Sequence, residues 1–311
     1  MNSSFSTVNP NLQLAWDSTS LGAFKECPRK YELSIIRGMV PRHESVHLTF
    51  GLHYHAALEL YDHARAEGKS HDEATIAATR HALTATWDAA KGRPWASDDA
   101  NKNRLTLVRS VIWYLEQFAT DPLQTIILAN GKPAVELSFR MELEYQAKIT
   151  GEKFMLCGHL DRLAEFNGQT YIVDRKTSKN TIGSDFFDKF SPDNQFSCYS
   201  MATQVVYSLP TAGLIVDAAQ VAVTFSRYQR GFVTRHQSQL DEWYRDLGYW
   251  LTVAQLCAQQ AYWPQNDKSC GNYGGCPYRK ICSKAPSVRD EWLNAEFVKR
   301  VWDPLLVRGD I

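Results

Sequence analysis

Hydrophobic positions follow two different periods along this chain, and the change falls near residue 130. Before it, apolar residues recur at helical spacing. His53 to Glu67, Ser70 to Lys91 and Asp98 to Ala119 each read as helices, and Asp121-Pro122 closes that stretch. Ahead of them, Phe5 to Leu33 reads as a polar lead-in, a turn and a helix whose start is marked by Ser18-Thr19-Ser20. From Pro133 to Ser178 the pattern becomes that of strands. Val135 to Ile149 roughly alternate, then Phe154 to Phe166 and Thr170 to Thr177 are rich in β-branched and apolar residues. Ser184 to Val206 reads as helical and Ala218 to His236 as a hairpin. Leu240 to Tyr262 reads as a helix with Trp243, Leu247, Trp250 and Leu251 on one face. The pattern assigns no element to residues 285–311.

The 311 residues suffice for a sizeable core, and 44% hydrophobic with 22% charged residues is ordinary for a globular protein. A polar start with no basic and then apolar stretch predicts no secretory signal. No apolar run approaches the roughly 18 residues of a membrane span, so the expectation is a cytoplasmic protein, in the host cytoplasm if phage-encoded. The formal net charge of zero argues against a global attraction to polyanions but leaves room for a local basic groove.

The two middle strands meet at Asn167-Gly168, the pair favoured in a two-residue type I′ turn. If that turn is the loop, Phe166 pairs with Gln169 and, counting outward, Asp161 falls opposite Asp174. Facing carboxylates on one side of a sheet repel unless a cation lies between them, and a hard divalent ion would serve. Lys176, two residues on, shares that face and can steady charge on a phosphate or orient a water. Without further context, a solvated face neutralised by Lys176 explains the same residues equally well. Tyr171-Ile172-Val173 tips the reading towards function, because it leads the acid out of a core-type strand.

Four of the seven cysteines form a second pattern. Cys27 heads Cys27-Pro28-Arg29-Lys30-Tyr31, and Cys270, Cys276 and Cys282 are evenly spaced in a glycine-rich run near the other end. In a reducing compartment such a set reads as soft-metal or iron–sulfur ligands before disulfides. Cys157, Cys198 and Cys257 lie in apolar stretches and read as buried thiols. Arg227, Arg230 and Arg235 flank the later hairpin, as a phosphate track or as a solvated face.

Asp161 and Asp174-Arg175-Lys176 resemble the paired acidic motifs of the PD-(D/E)XK nuclease superfamily. Three further pieces resemble its RecB-like branch, which includes Cas4 proteins and phage exonucleases. Gly51-Leu52-His53-Tyr54-His55 with Leu58-Glu59 is similar to that branch's first motif. Gln195-Phe196-Ser197-Cys198-Tyr199 is similar to its glutamine–tyrosine helix, and the four cysteines to the clasp of its iron–sulfur members. One departure is the gap of five residues between Cys270 and Cys276, where those members commonly have two; Gly271, Gly274 and Gly275 would let the longer loop fold back.

The resemblance implies an α/β fold: a restriction-endonuclease-like core with a central mixed sheet flanked by helices, a helical insert, and a cysteine-ligated clasp joining the chain ends. All 311 residues would form one nuclease domain. Its parts would be an N-terminal segment at 14–50, a helical segment at 51–130, the core at 131–265, the cluster cysteines at 266–285 and a tail at 286–311. His55, Asp161, Asp174 and the Arg175 backbone carbonyl would bind Mg²⁺ or Mn²⁺. Lys176 would assist the attacking water, and Gln195 and Tyr199 would contact DNA or brace the site. A [4Fe–4S] cluster, or alternatively Zn²⁺, would sit on Cys27, Cys270, Cys276 and Cys282. The partner would be DNA, single-stranded or with free ends, cut exonucleolytically in recombination, repair or CRISPR adaptation. Against this stand a non-catalytic DNA-binding subunit of the same fold and an iron–sulfur redox protein.

Overall fold

The computed structural model of the protein describes residues 4–43 and 45–306. β1 (Ala15–Trp16) leads into α1 (Ser18–Glu26), where Asp17 accepts the Ser20 amide at 2.9 Å and Ser20 returns the bond to the Asp17 amide at 3.2 Å. α2 (Pro28–Tyr31) starts on its proline and continues as a π-helical turn, Glu32–Ile36, before β2 (Met39–Pro41). α3 (Val46–Ala66) and α4 (His71–Ala85) follow. α4 stops short of Lys91, because Gly92 at φ +60° and Pro94 suit the small hairpin of β3 (Trp87–Asp88) and β4 (Arg93–Pro94) instead. α5 (Arg104–Gln117) starts later than Asp98, since Asp99 turns the chain by accepting the Asn101 and Lys102 amides at 2.8 and 3.0 Å.

Next come β5 (Gln124–Thr125), β6 (Val135–Gln146), β7 (Lys153–Phe166) and β8 (Gln169–Ser178). The helix expected over 184–206 is two, α6 (Ser184–Asp188) and α7 (Asn194–Val205). Pro192 lacks the amide a continuous helix needs, and Asp193 caps the second helix by accepting the Phe196 amide at 2.9 Å. β9 (Gly213–Val221) and β10 (Ser226–Val233) form the later hairpin, followed by α8 (Gln237–Gln260), α9 (Arg279–Cys282), α10 (Arg289–Glu296) and β11 (Phe297–Lys299). The tail left without an element thus holds a helix and a strand; its residues 307–311 lie outside the described ones.

Two compact units result. The first takes the residues up to His43, Ser138–Gly158 and the segment from His236 onward. Here β1 runs parallel to the start of β7, pairing Ala15 with Met155. Trp16 stacks on Tyr31 at 5.3 Å, and Phe24 meets Trp250 of α8 edge-on at 6.2 Å. β11 pairs antiparallel with β2, setting Val298 against Val40. A small core of Leu33, Met39, Tyr278, Ile281, Leu293 and Phe297 packs against Cys276 and Cys282.

The second unit comprises residues 45–137 and His159–Arg235. The end of β7 pairs antiparallel with β8, β8 parallel with β9 from Tyr171↔Gly213 to Ser178↔Gln220, and β9 antiparallel with β10. The sheet is therefore mixed, and the crossover between its parallel strands carries α6 and α7. Phe50, Tyr54 and Leu58 of α3 join Leu107, Val111 and Leu115 of α5 over Val221 and Tyr228, all buried. Burying each such side chain contributes about 1.5–3 kcal/mol, which holds α3 in place along the sheet. No helix among the described residues is long and apolar enough to cross a membrane.

Candidate active site

The β7–β8 turn is the expected one: Asn167 and Gly168 both take positive φ, +51° and +73°. From Phe166↔Gln169 the ladder runs to Arg162↔Val173 and stops there, one pair before the two aspartates. Asp161 is the reason. Its Oδ2 accepts the Arg175 backbone amide at 2.8 Å, so a side chain takes the bond a strand would have taken. The hairpin brings the acids together, but through this shifted contact rather than as a plain cross-strand pair.

Around them the second unit gathers the other candidates. His55 of α3 places Nδ1 3.3 Å from Asp161 Oδ2. Lys176 Nζ lies 2.6 Å from Asp174 Oδ2 and donates to Gln195 Oε1 at 2.9 Å. Gln195 in turn donates from Nε2 to the Tyr199 hydroxyl at 2.7 Å, across one turn of α7. Gln195 and Tyr199 thus brace the lysine. Gly51, one turn before His55, faces the end of β8: a methyl there would sit 3.9 Å from Thr177 Oγ1, an ordinary contact.

The two acids differ in charge state. Burial alone would raise the Asp161 carboxyl, but His55, Lys176 and the Arg175 amide outweigh it and hold it below the usual carboxylate range. Asp174 is 1% exposed. Burial pushes its pKa up to about 6 despite Lys176, and the neighbouring Asp161 adds to the rise. Lys176 stays firmly protonated, because the two carboxylates overcome its own burial.

The donor set fits a hard divalent cation: two carboxylates and an imidazole. Asp174 Oδ2 is the telling atom, a buried carboxylate oxygen whose close neighbour is the Lys176 ammonium at 2.6 Å. As placed, no three His, Cys, Asp or Glu side chains among the described residues converge closely enough to hold an ion. Asp174 is turned to Lys176 instead.

Sequence reasoning missed the buried network behind these groups. Arg175, 3% exposed, donates to Asp62 of α3 at 2.5 Å, and Arg162 lies 3.6 Å from the same carboxylate. Arg230 grips Asp121 with two bonds of 2.7 Å and reaches Asp217, which also receives the Tyr114 hydroxyl. Asp62 falls seven residues after His55 and so on its helical face, a signal available in the sequence. Two of the three arginines weighed as a phosphate track turn inward. Arg230 belongs to this network, and Arg235 donates to Phe190 O at 2.7 Å and Ser191 Oγ at 3.1 Å.

In the first unit the four cysteines of the sequence pattern lie near enough to act on one another, but as placed no three of them converge closely enough, among the described residues, to hold an ion. The Asn266 amide donates to Cys27 Sγ at 3.4 Å, and the Asn266 side chain to Glu26 O at 2.7 Å, tying α1 to the C-terminal run. Gly274 and Gly275 take φ of +88° and +108° and fold the loop back, so that the Cys276 amide meets Cys270 O at 3.0 Å. All four thiols are free. Burial raises the Cys276 thiol, with Cys27 and Cys270 adding to it, and burial likewise raises that of Cys282. Four thiols within each other's field suit thiolate ligation of a soft metal or a cluster. Cys157, Cys198 and Cys257 are buried, as the sequence suggested.

The comparisons with known proteins give the family and the fold. The sequence matches the profile of the PD-(D/E)XK nuclease superfamily over residues 16–283. Among solved structures, a protein described as a candidate exonuclease, from Eubacterium rectale, has a similar fold. It superposes with a TM-score of 0.51 at 14% identity, over 89% of this chain and 92% of that one. SSO0001 aligns over 73% and 84% with a TM-score of 0.32 at 13% identity, too low to carry an argument. No curated protein matches the sequence. A profile match over most of 311 residues decides membership: the chain belongs to the PD-(D/E)XK nuclease superfamily.

Proposed function

We propose that this protein is a Mg²⁺- or Mn²⁺-dependent deoxyribonuclease that hydrolyses phosphodiester bonds, an exonuclease acting on single strands or DNA ends. Superfamily membership implies the coarser part, phosphodiester hydrolysis of DNA with a divalent metal. The observation that carries the reading is the meeting of a buried Asp174, an ionised Asp161 and His55 with a charged Lys176.

His55, Asp161, Asp174 and the Arg175 carbonyl would hold the ion, which when bound would acidify a water and neutralise phosphate charge. Lys176 remains protonated, so it orients the water and steadies the extra negative charge on phosphorus rather than accepting a proton. Gln195 fixes the direction of its ammonium. Attack of the water oxygen on phosphorus breaks the bond to the 3′ oxygen, leaving a 5′-phosphate and a 3′-hydroxyl. In the other unit, Cys27, Cys270, Cys276 and Cys282 would hold a [4Fe–4S] cluster in a structural role, with Zn²⁺ as the alternative.

The test is cleavage of end-labelled single- and double-stranded DNA in Mg²⁺, Mn²⁺ and EDTA, with Asp174→Ala and Lys176→Ala as controls. Cleavage that needs metal and is lost in both variants supports the reading, and the label gives the polarity. Intact DNA in every lane overturns it in favour of a non-catalytic subunit.

A further inference from the structure

A second lysine stands beside the site with nothing to neutralise it. Lys189 follows α6 in the crossover, and its ammonium lies 3.7 Å from the Phe186 ring centre and 5.0 Å from that of Phe190. Phe190 stacks on Phe196 at 5.2 Å, and Lys176 lies 6.0 Å from the Phe196 ring. Two stacked rings thus carry an ammonium each, one of them the lysine of the acid pair. The lysines feel each other: partial burial lowers the Lys189 pKa first, and the charge on Lys176 lowers it further.

Among the described residues no carboxylate pairs with Lys189. Asp185 and Asp188 of α6 are near in sequence yet make no ion pair with it, and Asp193 instead acts on Lys176 and Arg235. The segment is also held firmly. Phe187 covers Gly231 so closely that a methyl group there would fall 2.2 Å from its ring, and Arg235 bonds the Phe190 carbonyl. An exposed lysine ordinarily swings away from a like charge into water. Here the aromatic pair keeps it close, with a cation–π attraction worth about 0.5–1 kcal/mol at an exposed site.

We propose that Lys189 and its aromatic seat form a second phosphate subsite, which binds a backbone phosphodiester neighbouring the one to be cut. The inference rests on the nuclease reading above and adds to it where the strand lies: it passes from the acid pair to the exposed Lys189 in the crossover, which the buried Phe196 and Phe190 hold from beneath. Lys189 binds and positions; Lys176 alone acts on the reacting phosphate.

The experiment compares the full-length protein with Lys189→Met and Lys189→Arg on a fluorescein-labelled single-stranded oligonucleotide. In EDTA, anisotropy gives the Kd as a function of NaCl. Losing one phosphate contact lowers the salt slope by about 0.7, and Kd at low salt rises about tenfold whatever the base sequence. In Mg²⁺, KM rises by a similar factor while kcat stays within about twofold, and Lys189→Arg restores both. An unchanged slope and KM in Lys189→Met, from a preparation whose wild type cleaves, overturns the inference alone. A fall in kcat with KM unchanged overturns it as well. If the wild type binds DNA but cuts nothing, the nuclease reading fails, and the metal-free slope still decides the phosphate contact.

Discussion

Asp161 and Asp174 meet because the turn between them is two residues long, whereas Cys27 meets Cys270, Cys276 and Cys282 only by closing a loop of about 240 residues. Both groups bring together side chains that repel when ionised, and they solve the problem differently. The acids find cations within the protein: His55, Lys176 and the Arg175 amide hold Asp161 ionised without a metal. The thiols have cationic neighbours too, Lys30 beside Cys276 and Arg29 and Arg289 beside Cys282, but burial outweighs them. Burial raises Cys276 and Cys282, and their cysteine neighbours raise them further. A site built on a local hairpin therefore has its charges balanced before any ligand arrives, with Asp174 turned to Lys176. A metal site on the distant chain ends, as proposed for the cysteines, would depend on the bonds its ligand makes.

Several substitutions sharpen that contrast. Cys27→Ala should have the largest effect, loss of bound iron or zinc together with a fall in Tm of roughly 10 °C or more. Metal analysis and calorimetry would check this, and unchanged values for both would place the stability of the first unit in its apolar packing alone. Asp62→Asn comes next, because it leaves the buried Arg175 guanidinium uncompensated. Breaking a buried pair costs about 3–5 kcal/mol, so Tm should fall by roughly 6–12 °C. A change within a degree or two would mean that Asp217 compensates the arginine without it.

Lys176→Met separates metal binding from chemistry. Cleavage should drop about 100-fold or more, while Mn²⁺ binding by calorimetry becomes tighter, since the ammonium no longer competes for Asp174. Weaker Mn²⁺ binding would show that Lys176 positions Asp174 for the ion rather than blocking it. Lys102→Met should have the smallest effect and tests burial of charge away from the acids. Lys102 is 1% exposed, lies 4.1 Å from the Phe50 ring centre, and its amine has no hydrogen-bond partner. Burial brings its pKa down to about 7. Below pH 7 the ammonium is charged in both folded and unfolded chains, and its burial cost is fully present. Between pH 7 and the ordinary lysine value the folded protein sheds the proton first, so wild-type stability rises with pH. The variant should melt a few degrees higher at pH 7, with the gain shrinking towards pH 10. A gain independent of pH would assign it to packing.

The hairpin was legible because its information is local: Asn167-Gly168 sets the register, and register sets which residues share a face. The same counting missed the last pair, because the Arg175 amide takes a side-chain partner that periodicity does not reveal. Helix ends were misread where a single residue overrides the pattern, as at Asp99 before α5 and at Pro192-Asp193 before α7. The Asp62–Arg175 and Arg230–Asp121 pairs join residues far apart in the chain, and each partner alone reads as an ordinary surface charge. Cysteine spacing proposes the members of a clasp, but not the core of Tyr278, Leu293 and Phe297 against which Cys276 and Cys282 pack, since Leu293 and Phe297 lie in the unassigned tail.

β8 lies between β7 and β9, hydrogen-bonded on both edges, while the crossover that follows it runs over the surface through α6 to α7. For anyone redesigning this protein the two differ in tolerance. A shift of β8 disturbs two ladders and the catalytic groups with them. The exposed stretch from Lys179 to Thr181, ahead of the buried Ile182, can be lengthened or exchanged at little cost to the fold. New substrate preferences, in a laboratory or in a lineage, are most readily written there, with the chemistry left as it stands.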